Sequence, residues 1–156
     1  SRRREYIIER LRRDDAAEVA RLHREDFSRP WSAAEFAGLI DQATVFGFVA
    51  REVGHRQAIA GFVLARLAVD EAEILTVAVA RAHRREGLGR ELMDAVLRQL
   101  HADRASHLIL EVDETNTPAL ALYRRLAFRE IARRRNYYEH AGGPSTGALV
   151  MRRDLR

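Results

Sequence analysis

Between Ile74 and Leu100 the chain changes its hydrophobic period abruptly. Ile74 to Ala80 is a nearly continuous apolar run, which predicts a strand buried on both faces. From Leu88 onward, Leu92, Met93, Val96, Leu97 and Leu100 recur at helical spacing, which predicts an amphipathic helix. Gly87 and Gly89 sit at the junction. Glycine lets a backbone approach a ligand closely, and the first turn of a helix offers unpaired N–H groups and a positive dipole end. The combination suits a pyrophosphate; the plainer alternative is a tight turn built from glycines. Arg84, Arg85 and Arg90 add positive charge nearby. Leu92 holds the place of a third glycine and no Gly-Lys-Ser/Thr follows, so dinucleotide-binding and P-loop patterns do not fit.

The remaining elements fall around this unit. Tyr6 to Leu11 predicts a strand. Asp15 and Glu18 have capping-box spacing ahead of a helix that ends before Pro30, and Ser32 and Glu35 open a second helix with Phe36, Leu39 and Ile40 on one face. Thr44 to Glu52 and Ala58 to Ala68 predict a hairpin turning at Val53 to Gln57, and Asp70 and Glu71 mark the next turn. His107 to Asp113 predicts a further strand with Glu111 near its end. Thr117 as N-cap and Pro118 open a helix carrying Leu122, Tyr123 and Leu126. Phe128 to Tyr138 and Ala148 to Arg152 are closing strands around a glycine-rich loop. The order β-α-α-β-β-β-α-β-α-β-β predicts a mixed α/β sheet of six to seven strands flanked by about four helices, in one domain over residues 1–156.

Composition narrows the chemistry. All 27 basic side chains are Arg; Lys and Cys are absent. Lysine Schiff bases, thiol nucleophiles and thiolate zinc sites are therefore excluded. The net charge of +4 suggests nucleic acid at first sight. Arg2 to Arg4 and Arg133 to Arg135 account for it, because without them 21 Arg face 23 carboxylates. No aromatic residues interleave with a basic stripe, so no direct nucleic-acid partner is expected. The six His residues show no metal-ligand pattern. No apolar run approaches membrane-spanning length and no signal-peptide core follows Arg2 to Arg4, so a cytoplasmic protein without a membrane partner is expected.

Arg84-x-x-Gly87-x-Gly89 after an apolar strand resembles the acetyl-CoA motif of the GNAT acetyltransferases. Pro30-Trp31-Ser32, Leu110-Glu111-Val112, Asn116, Ala121-Leu122-Tyr123 and Arg134-Arg135-Asn136-Tyr137-Tyr138 follow in family order. They narrow the resemblance to the bacterial ribosomal-protein-alanine N-acetyltransferases, the RimI type. The resemblance implies a GNAT fold and acetyl-CoA as cosubstrate, with no metal. It implies direct transfer to a protein N-terminus, the alanine of a small-subunit ribosomal protein. Val77, Ala78 and Val79 would line the pantetheine arm. Arg84, Arg85, Glu86, Gly87, Leu88, Gly89 and Arg90 would surround the pyrophosphate, and Asn116 would contact the cofactor further along. Glu111 matches the general base and Tyr123 the general acid. Trp31, Asn136, Tyr137 and Tyr138 are candidate substrate contacts.

The residues leave alternatives open. Glu73, on the neighbouring strand, is a competing base. Glu111 reads as a buried carboxylate whose other explanation is an ion pair with an Arg, and Tyr123 as a core tyrosine. A small-molecule amine or a lysine side chain is an alternative acceptor, and a non-catalytic acyl-CoA-binding subunit a further one. Ala127 replaces the usual glycine of Leu-Gly-Phe, which matters only if the position needs φ > 0.

Overall fold

The protein is described by a computed structural model covering residues 4–55 and 58–156. Arg2, Arg3 and the Arg56–Gln57 part of the expected hairpin turn lie outside the described residues. Seven strands form one sheet: β1 Tyr6–Arg10, β2 Val45–Glu52, β3 Ile59–Ala68, β4 Glu71–Val79, β5 His107–Asp113, β6 Arg129–Tyr138 and β7 Thr146–Asp154. Their order is β1-β2-β3-β4-β5-β7-β6, and every pair is antiparallel except β4 with β5. The helices are α1 Ala16–Asp26, α2 Ala33–Ile40, α3 Leu88–Ala102 and α4 Thr117–Arg125. None is long and apolar enough to cross a membrane.

Two cores lie on opposite faces of the sheet. Leu88, Leu92, Met93, Val96 and Leu100 of α3 and Leu120 and Tyr123 of α4 pack with Leu108, Leu110 and Val112 of β5 on one face. Val19, Ala20 and Leu22 of α1 and Phe36 of α2 pack with Val49, Phe62 and Leu64 on the other. The second pair of helices rests on β2 to β4. The same face of β5 and β7 carries Ile109, Glu111, Val150 and Arg152, all exposed or half-exposed. Half of this face is thus an open floor.

Several boundaries differ from expectation. β4 begins at Glu71, because Glu71 and Glu73 face the open side while Ala72 is buried, and the turn sits at Val69 and Asp70 instead. The Ser32–Glu35 capping box forms as expected, and Trp31 packs on Phe36 with the rings tilted by 59° and their centroids 5.4 Å apart, the hydrophobic-staple arrangement. The Asp15–Glu18 box does not form. Asp15 accepts from the Arg12 N–H and from Arg51, closing a 3-10 turn, and Glu18 turns to Arg21. Asn116, not Thr117, caps α4, its amide oxygen accepting from the Ala119 N–H at 3.3 Å.

Helix α4 ends in a Schellman motif. The Phe128 N–H reaches the Tyr123 carbonyl and the Ala127 N–H reaches that of Arg124, at 2.9 and 3.0 Å. Ala127 occupies the left-handed position, with φ 66°. An L-residue there is strained by about 1 kcal/mol relative to glycine. Ala127→Gly should therefore raise stability by about 1 kcal/mol, read as a higher denaturation midpoint with an unchanged slope.

His23 is 2% exposed and neutral. Its Nδ1 accepts the Trp31 N–H at 3.1 Å, and its ring stacks on Phe27 and Trp31. Burial pushes its pKa down to about 4, only partly opposed by Asp26 and Glu35. The unfolded chain binds a proton near pH 6.5, so stability falls as the pH drops from about 6.5 towards 4. His23→Asn keeps an acceptor for Trp31 and lacks this titration. It should remove on the order of 1–2 kcal/mol of the stability difference between pH 7 and pH 5, measured by denaturant melts at both.

Candidate active site

β4 and β5 are hydrogen-bonded at only three rungs, Glu71–His107, Ala72–Leu108 and Glu73–Ile109. A bulge follows at once in β4, where Ala65 opposes Ile74 and Leu64 opposes Thr76. A bulge bends its strand and increases local twist. Past it, β4 stays with β3 as far as Val79 and β5 stays with β7 as far as Asp113. The sheet therefore splits at the carboxyl ends of its two parallel strands, the usual place for a ligand crevice in a parallel sheet.

The backbone groups facing this gap can be identified. The Ala80 N–H donates to Ala60, so the Val79–Gly61 pair is of the non-hydrogen-bonded kind, as is Val77–Val63 two residues earlier. Val77 and Val79 point their N–H and C=O away from β3, into the gap. Ala78 pairs with Phe62 on β3, and its side chain packs under α1 and α2. Within the expected trio, only the outer two residues present free backbone to a ligand. Thr76, next to the bulge, has a buried hydroxyl with no partner among the described residues.

Residues 81–89 connect the gap to α3. Arg85 and Gly87 both take left-handed backbone, with φ 64° and 78°, and Gly87 is the N-cap of α3. Nothing lies within 4 Å of where a Gly87 Cβ would be. The N–H groups at the start of α3 are thus left open to an anion. Gly89 packs against Leu122 of α4, where a Cβ would approach at 3.3 Å. Arg85 is exposed without an ion pair among the described residues, and Arg90 lies 3.8 Å from Asp94. Arg84 is engaged elsewhere. Its guanidinium grips Asp26 at the end of α1 at 2.6 and 2.7 Å and donates to the Val79 carbonyl at 3.2 Å. Glu86 also points away from the loop's anion side, towards Tyr6. Among the residues expected at the pyrophosphate, Arg84 and Glu86 thus offer backbone rather than side chains. Asn116 uses its amide oxygen to cap α4.

Glu111 lies on the open face of β5, against the expectation that it is buried, because α1 and α2 do not reach β5. Its side chain keeps 31% exposure and sits 3.4 Å from the Arg134 guanidinium of β6. Tyr123 comes from the opposite face of the sheet. It is 6% exposed, its ring packs on Phe128, and its hydroxyl has no hydrogen-bond partner among the described residues. Burial pushes Tyr123 up to about 12, with a further push from Tyr138. Tyr138 is itself pushed up to about 12, first by burial and then by the charge of Glu111 and neighbours including Asp113. Tyr138 is therefore within electrostatic reach of both Glu111 and Tyr123. Glu73 is half-exposed at the last paired rung, held by Arg66 at 3.1 Å.

Two loops wall the open floor. Trp31 and Phe27 belong to the α1–α2 loop; Tyr137 and Tyr138 stand at the end of β6. Arg29 pairs with Glu139 at 3.0 Å and the Ser28 hydroxyl donates to the Glu139 carbonyl at 3.4 Å, joining the loops. Asn136, with φ 52°, lies in a bulge opposite Gly147, where any side chain would strike Glu114 and the Arg134 carbonyl. Arg134 also lies 5.2 Å over the Tyr137 ring. Asp113 pins the β6–β7 loop by accepting from Thr146 and Thr115 and contacting His140. Burial alone would raise its pKa, but those hydrogen bonds and His140 hold it below the usual value. Neither Asp113 nor Asp26 stands out in the sequence, since Thr146 and His140 for the one and Arg84 for the other lie far along the chain.

The comparisons agree with this geometry. Residues 16–128 match the family model described as the acetyltransferase (GNAT) family. The Escherichia coli [ribosomal protein bS18]-alanine N-acetyltransferase is 29% identical over 144 residues, covering 92% of this chain and 94% of that one. Its Salmonella typhimurium counterpart is 33% identical over 122 residues, 78% of this chain and 79% of the relative. The crystal structure of the Escherichia coli ribosomal-protein-alanine enzyme superposes with a TM-score of 0.88 at 28% identity, covering 97% of this chain and 94% of that chain. NAA60 of Arabidopsis thaliana in complex with acetyl-CoA shares the fold, with a TM-score of 0.84 at 20% identity over 96% of this chain and 98% of that chain. The split sheet, the glycine loop at α3 and the family match over most of the chain together place this protein in the GNAT family, as an N-acetyltransferase.

Proposed function

We propose that the protein transfers acetyl from acetyl-CoA to the α-amine of a protein N-terminus, with the alanine of a small-subunit ribosomal protein as acceptor. The observation that carries this reading is that Glu111 stands on the open face of the split sheet and Tyr123 comes from the opposite face, each within electrostatic reach of Tyr138. The Escherichia coli relative, named for the alanine of ribosomal protein bS18, aligns along 92% of this chain.

The fit of the cosubstrate rests on this chain's own groups. The open N–H groups at Gly87 to Arg90 suit a diphosphate. The unpaired backbone of Val77 and the Val79 N–H suit the amides of a pantetheine arm, which extend β4 as a neighbouring strand would. The acetyl thioester supplies the electrophile.

An α-ammonium has a pKa near 8 and must lose a proton before it can attack. Glu111, on the open floor, takes that proton directly or through water. Arg134, 3.4 Å away, orients the carboxylate. The amine nitrogen then attacks the thioester carbonyl, the C–S bond breaks with the sulfur as leaving group, and the nitrogen's second proton, released as the amide forms, returns through water to the tyrosine that protonates the sulfur. Tyr123 keeps its proton across the working pH range because burial holds its pKa near 12. Its hydroxyl has no competing partner among the described residues and donates to the departing sulfur. Trp31, Tyr137 and Tyr138 border the floor and hold the first residues of the acceptor. With no Cys in the chain, transfer is direct within a ternary complex.

Glu111→Gln and Tyr123→Phe should each lower kcat by about tenfold to ten-thousandfold with folding intact, while Glu73→Gln stays within about twofold of the parent. Steady-state assays on the three variants check this; a large loss in Glu73→Gln alone would move the base to β4. In the same assay, a peptide beginning with Ala should outrun a polyamine, an antibiotic amine and an internal Lys peptide. Turnover of a small amine with no reaction at any N-terminal peptide would reject the acceptor assignment, and acyl-CoA binding without any turnover would reject catalysis.

A further inference from the structure

The anion loop contains a carboxylate where a diphosphate ligand would be repelled. Glu86 precedes the left-handed Gly87 that caps α3. A glutamate at that point, free to swing, would place negative charge beside the very N–H groups that suit phosphate. The structure turns it away. The Tyr6 hydroxyl of β1 donates to Glu86 Oε2 at 2.6 Å, and the Arg4 guanidinium lies 3.5 Å from the same oxygen. Arg4 also donates to the Ala82 carbonyl at 2.7 Å. Tyr6 Oη stands 2.8 Å from His83 Nδ1. The Arg4 guanidinium also stands 3.2 Å from that nitrogen, so His83 Nδ1 meets both side chains. Tyr6 therefore ties both ends of the segment 83–86 to the edge strand. Arg84, inside that segment, is pulled the other way, onto Asp26.

We propose that Tyr6, assisted by Arg4, is a positioning residue for acetyl-CoA, which holds the Glu86 carboxylate out of the phosphate site and fixes the loop in its anion-binding form. This rests on the reading of Gly87 to Arg90 as the diphosphate site. The bond is charge-assisted, short and half-buried, the class whose loss is felt most strongly. Tyr6 touches no reacting atom, so its effect is confined to the affinity of the phosphate-bearing cosubstrate.

The test is a set of acetyl-CoA affinities by calorimetry, with KM and kcat, on Tyr6→Phe, Tyr6→Phe/Glu86→Gln and Gly87→Ala. Tyr6→Phe should weaken acetyl-CoA by about threefold to thirtyfold, the scale of one hydrogen bond to a charged group, with kcat at saturation within about twofold. Turnover of S-acetylpantetheine, which has no phosphate, should be unaffected by Tyr6→Phe. Adding Glu86→Gln should restore most of the lost affinity, because the repelling charge is gone; a merely structural tyrosine would not be rescued this way. Parent-like affinity in Tyr6→Phe, a deficit that persists in the double variant, or an equal loss with S-acetylpantetheine would overturn the proposal. Gly87→Ala separates the two levels. If it weakens acetyl-CoA while Tyr6→Phe does not, the positioning role alone fails. If it leaves affinity intact, the diphosphate reading fails and the role of Tyr6 with it.

Discussion

Everything at the active site depends on a sheet that stops pairing in its middle. β4 and β5 share three rungs and then diverge, although each stays bonded to its outer neighbour. Unpaired backbone N–H and C=O groups inside a protein are costly unless something satisfies them. A split that leaves the Val77 backbone and the Val79 N–H without a partner on the β5 side offers, in the proposed reading, backbone groups to a ligand that carries amides of its own. The bulge at the last paired rung supplies the twist that opens it. α3 and α4 roof one face of the split and deliver Tyr123, while the other face stays open at Glu111.

The loop that continues β4 into α3 is held from both sides by residues remote in sequence. Arg84 reaches Asp26 on α1, and Tyr6 on β1 reaches Glu86. The first tie has a second consequence. Asp26 leads directly into the α1–α2 loop that carries Trp31, and that loop is in turn paired to the β6–β7 loop through Arg29 and Glu139. The loop ahead of α3 and the two walls of the open floor are thus linked by a series of side-chain contacts. Arg84 and Arg29 supply the guanidinium groups of two of these ties.

The order and type of the seven strands and four α-helices can be read in the sequence, because the hydrophobic period changes between most of them. The Ser32–Glu35 box is a local signal and forms as read, and the glycine junction read ahead of α3 holds the helix N-cap at Gly87. Features that depend on tertiary cover cannot be read in the same way. Glu111 looks buried among Leu110 and Val112, yet strand alternation places it on a face that α1 and α2 leave open. Asp15 has the spacing of a cap, but Arg51, brought alongside by the sheet, captures its carboxylate. Arg84 looks like a phosphate ligand until its partner, 58 positions away, is seen. The left-handed backbone at Ala127 is invisible in a sequence that places alanine there.

Hydrogen exchange at single-residue resolution, with and without acetyl-CoA, tests the central claim most directly. If the split between β4 and β5 receives the cosubstrate, saturating acetyl-CoA should slow exchange at the Val77 and Val79 N–H groups and across 86–90, while Ala78, already bonded to β3, changes little. Slowed exchange elsewhere, with the Val77 and Val79 amides and the start of α3 unchanged, would contradict it.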